Sequence, residues 1–200
     1  MTTVLAAAIA YLLGAIPFGY LLVKWTTGRD VRTGGSGNIG ATNVLRTTGR
    51  AAGIATLLLD IGKGYLAVWI AGRLSSQSVL PMCVATLAVM SGHAYPVFLH
   101  FRGGKAVASF VGSFLCLTPL ALAAVLVVFV AVVAWSRYIS MGSVVCAATF
   151  PLAVWLMQKD VIMVATAAVA GAFIVYKHSS NIQRLHDGSE SVFTFGRRKS

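Results

Sequence analysis

Apolar residues fall in long runs along this chain, at about 3–23, 51–72, 79–99, 106–118, 120–135, 139–157 and 161–176. A helix needs about 20 mainly apolar residues to cross a bilayer. The runs therefore predict seven transmembrane helices and an all-α integral membrane protein. Thr118-Pro119 divides the long stretch after residue 106 into two, because proline cannot continue the helix before it. The fourth run is short if it starts at Ala106, and a start within the preceding glycines would lengthen it.

Composition strengthens this picture. Hydrophobic residues make up 58% of the 200 and charged residues 10%, with a mean hydropathy of +0.82. Soluble domains carry roughly 25% charged residues, so there is too little polar material here to cover a soluble surface. Seven spans leave no room for a sizeable soluble domain. Residues 1–200 read as one transmembrane domain with a short basic tail at about 191–200. The opening residues lack a basic flank and a small-residue cleavage site, so they read as a retained first span. Cys83, Cys116 and Cys146 all lie inside apolar runs without CxxC spacing, which points to buried small residues and not to a disulfide or metal frame.

Charge sets the expected sidedness. The chain has 16 Lys+Arg against 5 Asp+Glu, a net charge of +11. Basic residues collect on the cytoplasmic side of membrane proteins, which accounts for the excess without nucleic acid. With the N-terminus outside, the inward segments hold Lys24, Arg29, Arg32, Arg46, Arg50, Arg102, Lys105, Arg137, Lys177, Arg184, Arg197, Arg198 and Lys199. The outward loops hold only Arg73 and Lys159. The expected orientation is N-terminus outside and C-terminus cytoplasmic.

The same inward side carries the polar clusters. Residues 28–50, GRDVRTGGSGNIGATNVLRTTGR, are glycine-rich and hold Ser36, Gly37, Asn38, Gly40, Thr42, Asn43 and Arg46. A backbone that bends freely and exposes N–H donors binds anions, phosphate above all; the alternative is a flexible connector. Gly103-Gly104-Lys105 precedes the fourth run, so free amides and a lysine are expected at a helix N-terminus. The alternative there is a lysine that only fixes topology. GxxxxGK[ST] is absent, so this is no P-loop. His178 and Asn181 share a face if the last helix continues past Lys177. Asp60 and Lys63, three apart within the second run, are expected to neutralise each other and dock that helix. Ser140 and Ser143 are candidates for hydrogen bonds between helices, and Ser143 also for the site.

Five acidic residues without a cluster offer no set of oxygen ligands for Mg²⁺ or Mn²⁺. No HxxxxD, HExxH or GxSxG occurs. The expected site has positive charge, amide donors and hydroxyls, with no metal and no cofactor. It suits phosphate-bearing substrates that arrive already activated. A small anion transporter or channel is the competing class, but its polar residues would line a path across the membrane and not gather on one side.

Ser36-Gly37-Asn38-Ile39-Gly40-Ala41-Thr42-Asn43 followed by Arg46 resembles the first motif of the bacterial acyl-phosphate:glycerol-3-phosphate acyltransferases, the PlsY family. Asp30-Val31-Arg32 before it agrees. Gly92-His93-Ala94-Tyr95-Pro96-Val97-Phe98 with Gly103-Gly104-Lys105-Ala106-Val107-Ala108-Ser109 resembles the second motif, with Ser109 where the family usually has threonine. Lys177-His178, Asn181-Ile182, Arg184-Leu185 and Gly188-Ser189-Glu190 resemble the third.

The resemblance implies a seven-span bacterial inner-membrane enzyme whose active site faces the cytoplasm. Its reaction moves a fatty acyl group from acyl phosphate to the sn-1 hydroxyl of glycerol 3-phosphate, giving lysophosphatidic acid and inorganic phosphate in phospholipid synthesis. Lys105 with the Gly103 and Gly104 amides would hold the acyl phosphate, with Ser36 nearby. Arg46, His178 and Asn181 would surround glycerol 3-phosphate. Gly37, Asn38, Gly40, Thr42, Asn43, Ser109 and Ser143 complete the expected substrate-binding set. The implied partners are the two substrates, the lipid bilayer and, as a candidate, the soluble enzyme that supplies acyl phosphate.

Overall fold

The structure, a computed structural model, describes residues 1–193. Arg197, Arg198 and Lys199 of the expected basic tail lie outside the described residues. The chain forms two compact units, Met1–Leu117 and Thr118–Ser200.

In the first unit, α1 (Thr2–Ala15) and α2 (Phe18–Thr27) are separated at Ile16-Pro17. Proline pushes the residue before it out of helical geometry, and Ile16 is extended at φ −64° and ψ 114°. A short helix α3 (Ala41–Thr47) follows, then α4 (Arg50–Leu74), α5 (Val79–Ala94) and α6 (Val107–Leu117). Within hydrocarbon, water does not drive helices together, so small residues that let backbones touch decide the packing. A Cβ on Gly14 of α1 would overlap the Val89 carbonyl of α5, and one on Gly92 of α5 would overlap that of Tyr11. Gly64 of α4 sits in the same way against the Ser109 carbonyl of α6, and Gly112 against Ile61. Glycines thus lock α1 to α5 and α4 to α6.

The second unit packs α7 (Pro119–Ser136), α8 (Ile139–Gln158) and α9 (Val161–Lys177) side by side, followed by α10 (Ser179–His186). Gly171 of α9 rests against the Ala147 carbonyl of α8. Val127, Val130, Leu152 and Leu156 are exposed, an apolar exterior suited to lipid.

Each of the seven apolar runs has a helical counterpart. Among the described residues, five segments are long and apolar enough to cross a membrane, and a sixth is added if α9 and α10, bent by 56°, count as one. Helix α6 has only 11 residues, about 16 Å at 1.5 Å per residue. It does not extend back into the glycines as the sequence suggested. Ala106 is left-handed at φ 61°, and the residues before it are bonded to α5, as described below. The predicted break at Thr118-Pro119 is present, with Pro119 opening α7.

Candidate active site

The first unit carries two polar connectors. The one between α2 and α3 is far less open than its glycines suggest. Asn43, 2% exposed, donates its Nδ2 protons to the carbonyls of Val31 (3.1 Å), Gly34 (3.1 Å) and Asn38 (2.8 Å). Its Oδ1 accepts the Ser36 N–H at 2.8 Å. One side chain therefore ties the loop to α3. The Gly37 N–H bonds to the Gly34 carbonyl, and the Gly40 N–H to Asn38 Oδ1. The expected nest is corrected accordingly: the amides of Ser36, Gly37 and Gly40 are occupied within the loop. Asn38 and Asn43 are scaffold residues at these contacts. Thr42, half-buried, and Arg46 belong to helix α3 and not to a loop.

Asp30 accepts from the Arg32 backbone at 2.9 Å and from its guanidinium at 2.7–3.1 Å. These bonds from Arg32 hold the Asp30 carboxyl below the usual aspartate range. Arg32 also stacks over Tyr20, 5.3 Å from the ring centre, so it fastens the loop to α2. The Ser36 side chain and Arg46 are exposed and can meet a ligand.

The second connector joins α5 to α6. Its Val97–Leu99 turn sends Leu99 into an apolar cluster with Val23, Val31, Ile39 and Val44. That cluster joins the two connectors, which bear Ser36 and Lys105, to α3, which bears Arg46. The Gly103 N–H donates to the Ala94 carbonyl (3.2 Å) and the Gly104 N–H to that of His93 (3.0 Å). The expectation that these amides point at a phosphate is therefore overturned. The end of α5 has unpaired carbonyls, and the glycine amides satisfy two of them. Lys105 is half-buried beside the first-turn amides of α6 from Val107, which have no acceptor inside that helix. Ser109 is buried, its hydroxyl 3.3 Å from His93 Nδ1, and so faces the protein interior.

Beneath the connectors, Lys63 Nζ lies 2.7 Å from Asp60 Oδ1, both side chains 3% exposed. The expected pair is present.

In the second unit the helix does not continue through His178. It turns there by 56°, so His178 ends α9 and opens α10. His178 Nδ1 lies 2.8 Å from the Ile174 carbonyl. A carbonyl can only accept, so Nδ1 carries the proton and Nε2 is the proton-accepting nitrogen of the neutral ring. Asn181 is buried, and its Nδ2 donates to Glu190 Oε1 at 2.7 Å. The Ser140 hydroxyl donates to the same oxygen at 2.8 Å, and Arg184 Nε to Glu190 Oε2 at 2.8 Å. Burial pushes the Glu190 carboxyl up, but the bonds from Asn181, Ser140 and Arg184 outweigh it and hold the group below the ordinary glutamate value. Glu190 thereby clasps α8 to α10. The sequence places Glu190 in the third motif without revealing this role; its signal is that acidic residues are scarce here. Ser140 makes the expected contact outside its helix, whereas the Ser143 hydroxyl bonds back to Ile139 of its own helix at 2.9 Å.

All five carboxylates have partners. Asp30, Asp60 and Glu190 face Arg32, Lys63 and Arg184; Asp160 caps α9 through the Met163 N–H; Asp187 lies beside His186. Among the described residues no three His, Cys, Asp or Glu side chains group as metal ligands.

The chain is similar to known proteins. The model of the glycerol-3-phosphate acyltransferase family matches residues 4–188. The glycerol-3-phosphate acyltransferase of Desulforamulus reducens is 42% identical over 200 residues, all of this chain and 98% of that one. That of Trichlorobacter lovleyi is 49% identical, covering 92% of this chain and 94% of its own. Among solved structures, PlsY, an integral membrane glycerol 3-phosphate acyltransferase, matches in its glycerol 3-phosphate form with TM-score 0.92 and 35% identity, covering 97% and 96% of the two chains. Its lysophosphatidic acid form matches with TM-score 0.88 and 34% identity, at the same coverage. Agreement in sequence and backbone over nearly the whole length, in both units, means that the chain belongs to the PlsY family of integral membrane glycerol-3-phosphate acyltransferases.

Proposed function

We propose that the acyl donor is acyl phosphate and that the acyl group passes to the sn-1 hydroxyl of glycerol 3-phosphate. The observation that carries this reading is Lys105, rooted on the glycine turn directly before the N-terminus of α6. A lysine beside first-turn amides suits a phosphate. Ser36 lies on the neighbouring connector, which shares the Leu99 cluster. Arg46, His178 and Asn181 take glycerol 3-phosphate, and Thr42 and Ser143 are further substrate-facing candidates. The solved relative has forms with glycerol 3-phosphate and lysophosphatidic acid, an acceptor and a product consistent with this assignment.

In the reaction the glycerol hydroxyl oxygen attacks the acyl carbon and forms the ester bond. The bond from that carbon to the phosphate oxygen breaks, and inorganic phosphate leaves with the electron pair. The hydroxyl proton goes to a substrate phosphate, with His178 Nε2 as the protein alternative. The mixed anhydride is already activated, so no covalent enzyme intermediate is needed. Lys105 offsets the charge that builds on the departing phosphate.

Seven membrane passages, an outside N-terminus and a cytoplasmic site fit the charge bias along the chain. The family match across both units supports one acyltransferase domain. The soluble enzyme that makes acyl phosphate is the natural partner on that side.

The test is phosphate release by purified protein given both substrates in EDTA. Acyl phosphate should support turnover and acyl-CoA should not, because the thioester carries no phosphate on its reacting carbon. Robust transfer from acyl-CoA that EDTA abolishes would overturn the donor assignment.

A further inference from the structure

Beyond the end of α5 the chain makes an apex and turns back. The apolar segment Val79–Leu99 ends there, and His100, Phe101 and Arg102 follow. The apex carries its apolar side chains outward: Phe98 is 59% exposed, Phe101 60%, and Val97 is exposed beside them. A polar connector in water would keep such rings covered, and an exposed apolar patch marks a surface that meets lipid or protein.

The apex is held in this shape by its own bonds. The Phe101 N–H donates to the Pro96 carbonyl at 2.9 Å, and the Arg102 N–H to that of Leu99 at 3.1 Å. His100 and Phe101 are both left-handed, at φ 53° and 61°, a conformation uncommon for residues with large side chains. It persists only where the surroundings impose it. The result is that Leu99 is buried while Phe98 and Phe101 on either side face out.

Leu99 also sets the level of the apex. It packs in one cluster with Val23 of α2. Lys24 and Trp25 follow Val23 directly, and Trp25 is 78% exposed. A tryptophan and a lysine closing an apolar span mark the boundary between hydrocarbon and water, where amphipathic rings settle and the ammonium reaches the headgroups.

We propose that the Val97–Phe101 apex is seated in the lipid leaflet, with its two phenylalanine rings at the boundary between acyl chains and headgroups. Lipid is the occupant because the patch lies level with the Lys24–Trp25 end of α2, in a chain already embedded in a bilayer. Arg102, exposed next to Phe101, adds a charge opposite to that of anionic headgroups. Rings facing lipid with a cation beside them is the arrangement of a surface-seated segment.

The test is the depth of a nitroxide label. In a full-length background with Cys83, Cys116 and Cys146 replaced by alanine, Val97→Cys, Phe98→Cys and Phe101→Cys are labelled one at a time. Each is placed, one chain per disc, in nanodiscs of phosphatidylethanolamine and phosphatidylglycerol. Collisions with oxygen, which concentrates in lipid, are compared with collisions with a water-soluble nickel chelate. Val127→Cys, exposed in the middle of α7, and Asp187→Cys, an exposed charged position, supply the lipid and water references. Phosphate release by each labelled variant checks that it is folded. Val97 and Phe98 decide the matter if a label at Phe101 disturbs its left-handed backbone.

The expected result is an oxygen-to-nickel ratio at the apex well above that of Asp187→Cys and below that of Val127→Cys. A ratio equal to that of Asp187→Cys would place the apex in water and overturn the proposal. Suppression of both kinds of collision would mean that protein covers the rings, and would overturn it equally.

Discussion

Lys63 completes the break between α1 and α2: its ammonium donates to the Ile16 carbonyl at 2.8 Å. Pro17 has no N–H and cannot continue the ladder, so the chain before it is left with acceptors in an apolar setting. The same ammonium holds Asp60. A sequence fault in the first helix is thus satisfied by a charge from α4, which is itself neutralised one turn away.

Lys63→Met should therefore remove two interactions together. An unpaired buried carboxylate costs roughly 3–5 kcal/mol, so a large fall in melting temperature is expected in detergent. Adding Asp60→Asn removes the stranded charge and should recover part of the loss. Native-like melting of Lys63→Met would refute the assignment of this pair as a structural anchor.

Asn43→Ala should loosen the whole first connector. It removes two N–H donors shared among three carbonyls and one acceptor, and each buried group left unsatisfied costs roughly 1–3 kcal/mol. Faster trypsin cleavage after Arg32, with lowered activity, is the expected outcome. Asn43→Asp should fare little better, because a carboxylate can accept the Ser36 N–H but cannot donate to three carbonyls. Unchanged cleavage in both variants would mean that the glycine loop holds itself.

The Glu190 clasp predicts acid sensitivity of the second unit. Its folded carboxyl titrates below the ordinary glutamate value, so the folded state favours the charged form. The clasp's contribution is complete above the ordinary glutamate range and is lost as pH falls through the lowered folded value. Melting temperature should drop on acidification, and Glu190→Gln should flatten that dependence while lowering stability at neutral pH. An identical acid profile in Glu190→Gln would locate the sensitivity elsewhere.

Arg46→Lys distinguishes shape from charge. A guanidinium grips phosphate through two parallel bonds, which an ammonium cannot reproduce. If Arg46 holds glycerol 3-phosphate, the lysine variant should be nearly as impaired as Arg46→Ala, first through a higher KM for that substrate. Full activity of the lysine variant would make Arg46 a general electrostatic or topogenic residue.

Local rules made much of this legible. The apolar runs, the proline break at Thr118-Pro119 and the Asp60–Lys63 pair depend on residues close in sequence, and each is present. The amides of Gly103 and Gly104 could not be read in this way, because their acceptors lie nine residues or more back, at Ala94 and His93. Asn43 carried the composition of a ligand-binding residue, yet it holds its own loop, and only the folded geometry distinguishes the two uses. His178 and Asn181 were read on one continuing helix; the bend between them gives His178 the end of α9 and Asn181 the Glu190 contact.

The shortness of α6 bears on how the protein is made. An 11-residue helix reaches about half of a hydrocarbon core roughly 30 Å thick. Insertion machinery that samples segments one at a time has little to grip in Val107–Leu117 alone. The docking surface for that segment is α4, made earlier in synthesis, where Gly64 admits the Ser109 backbone and Ile61 meets Gly112. Bulk at either glycine would therefore act at biogenesis, leaving α6 unseated and the chain after it at risk of inverted topology, before any question of catalysis arises.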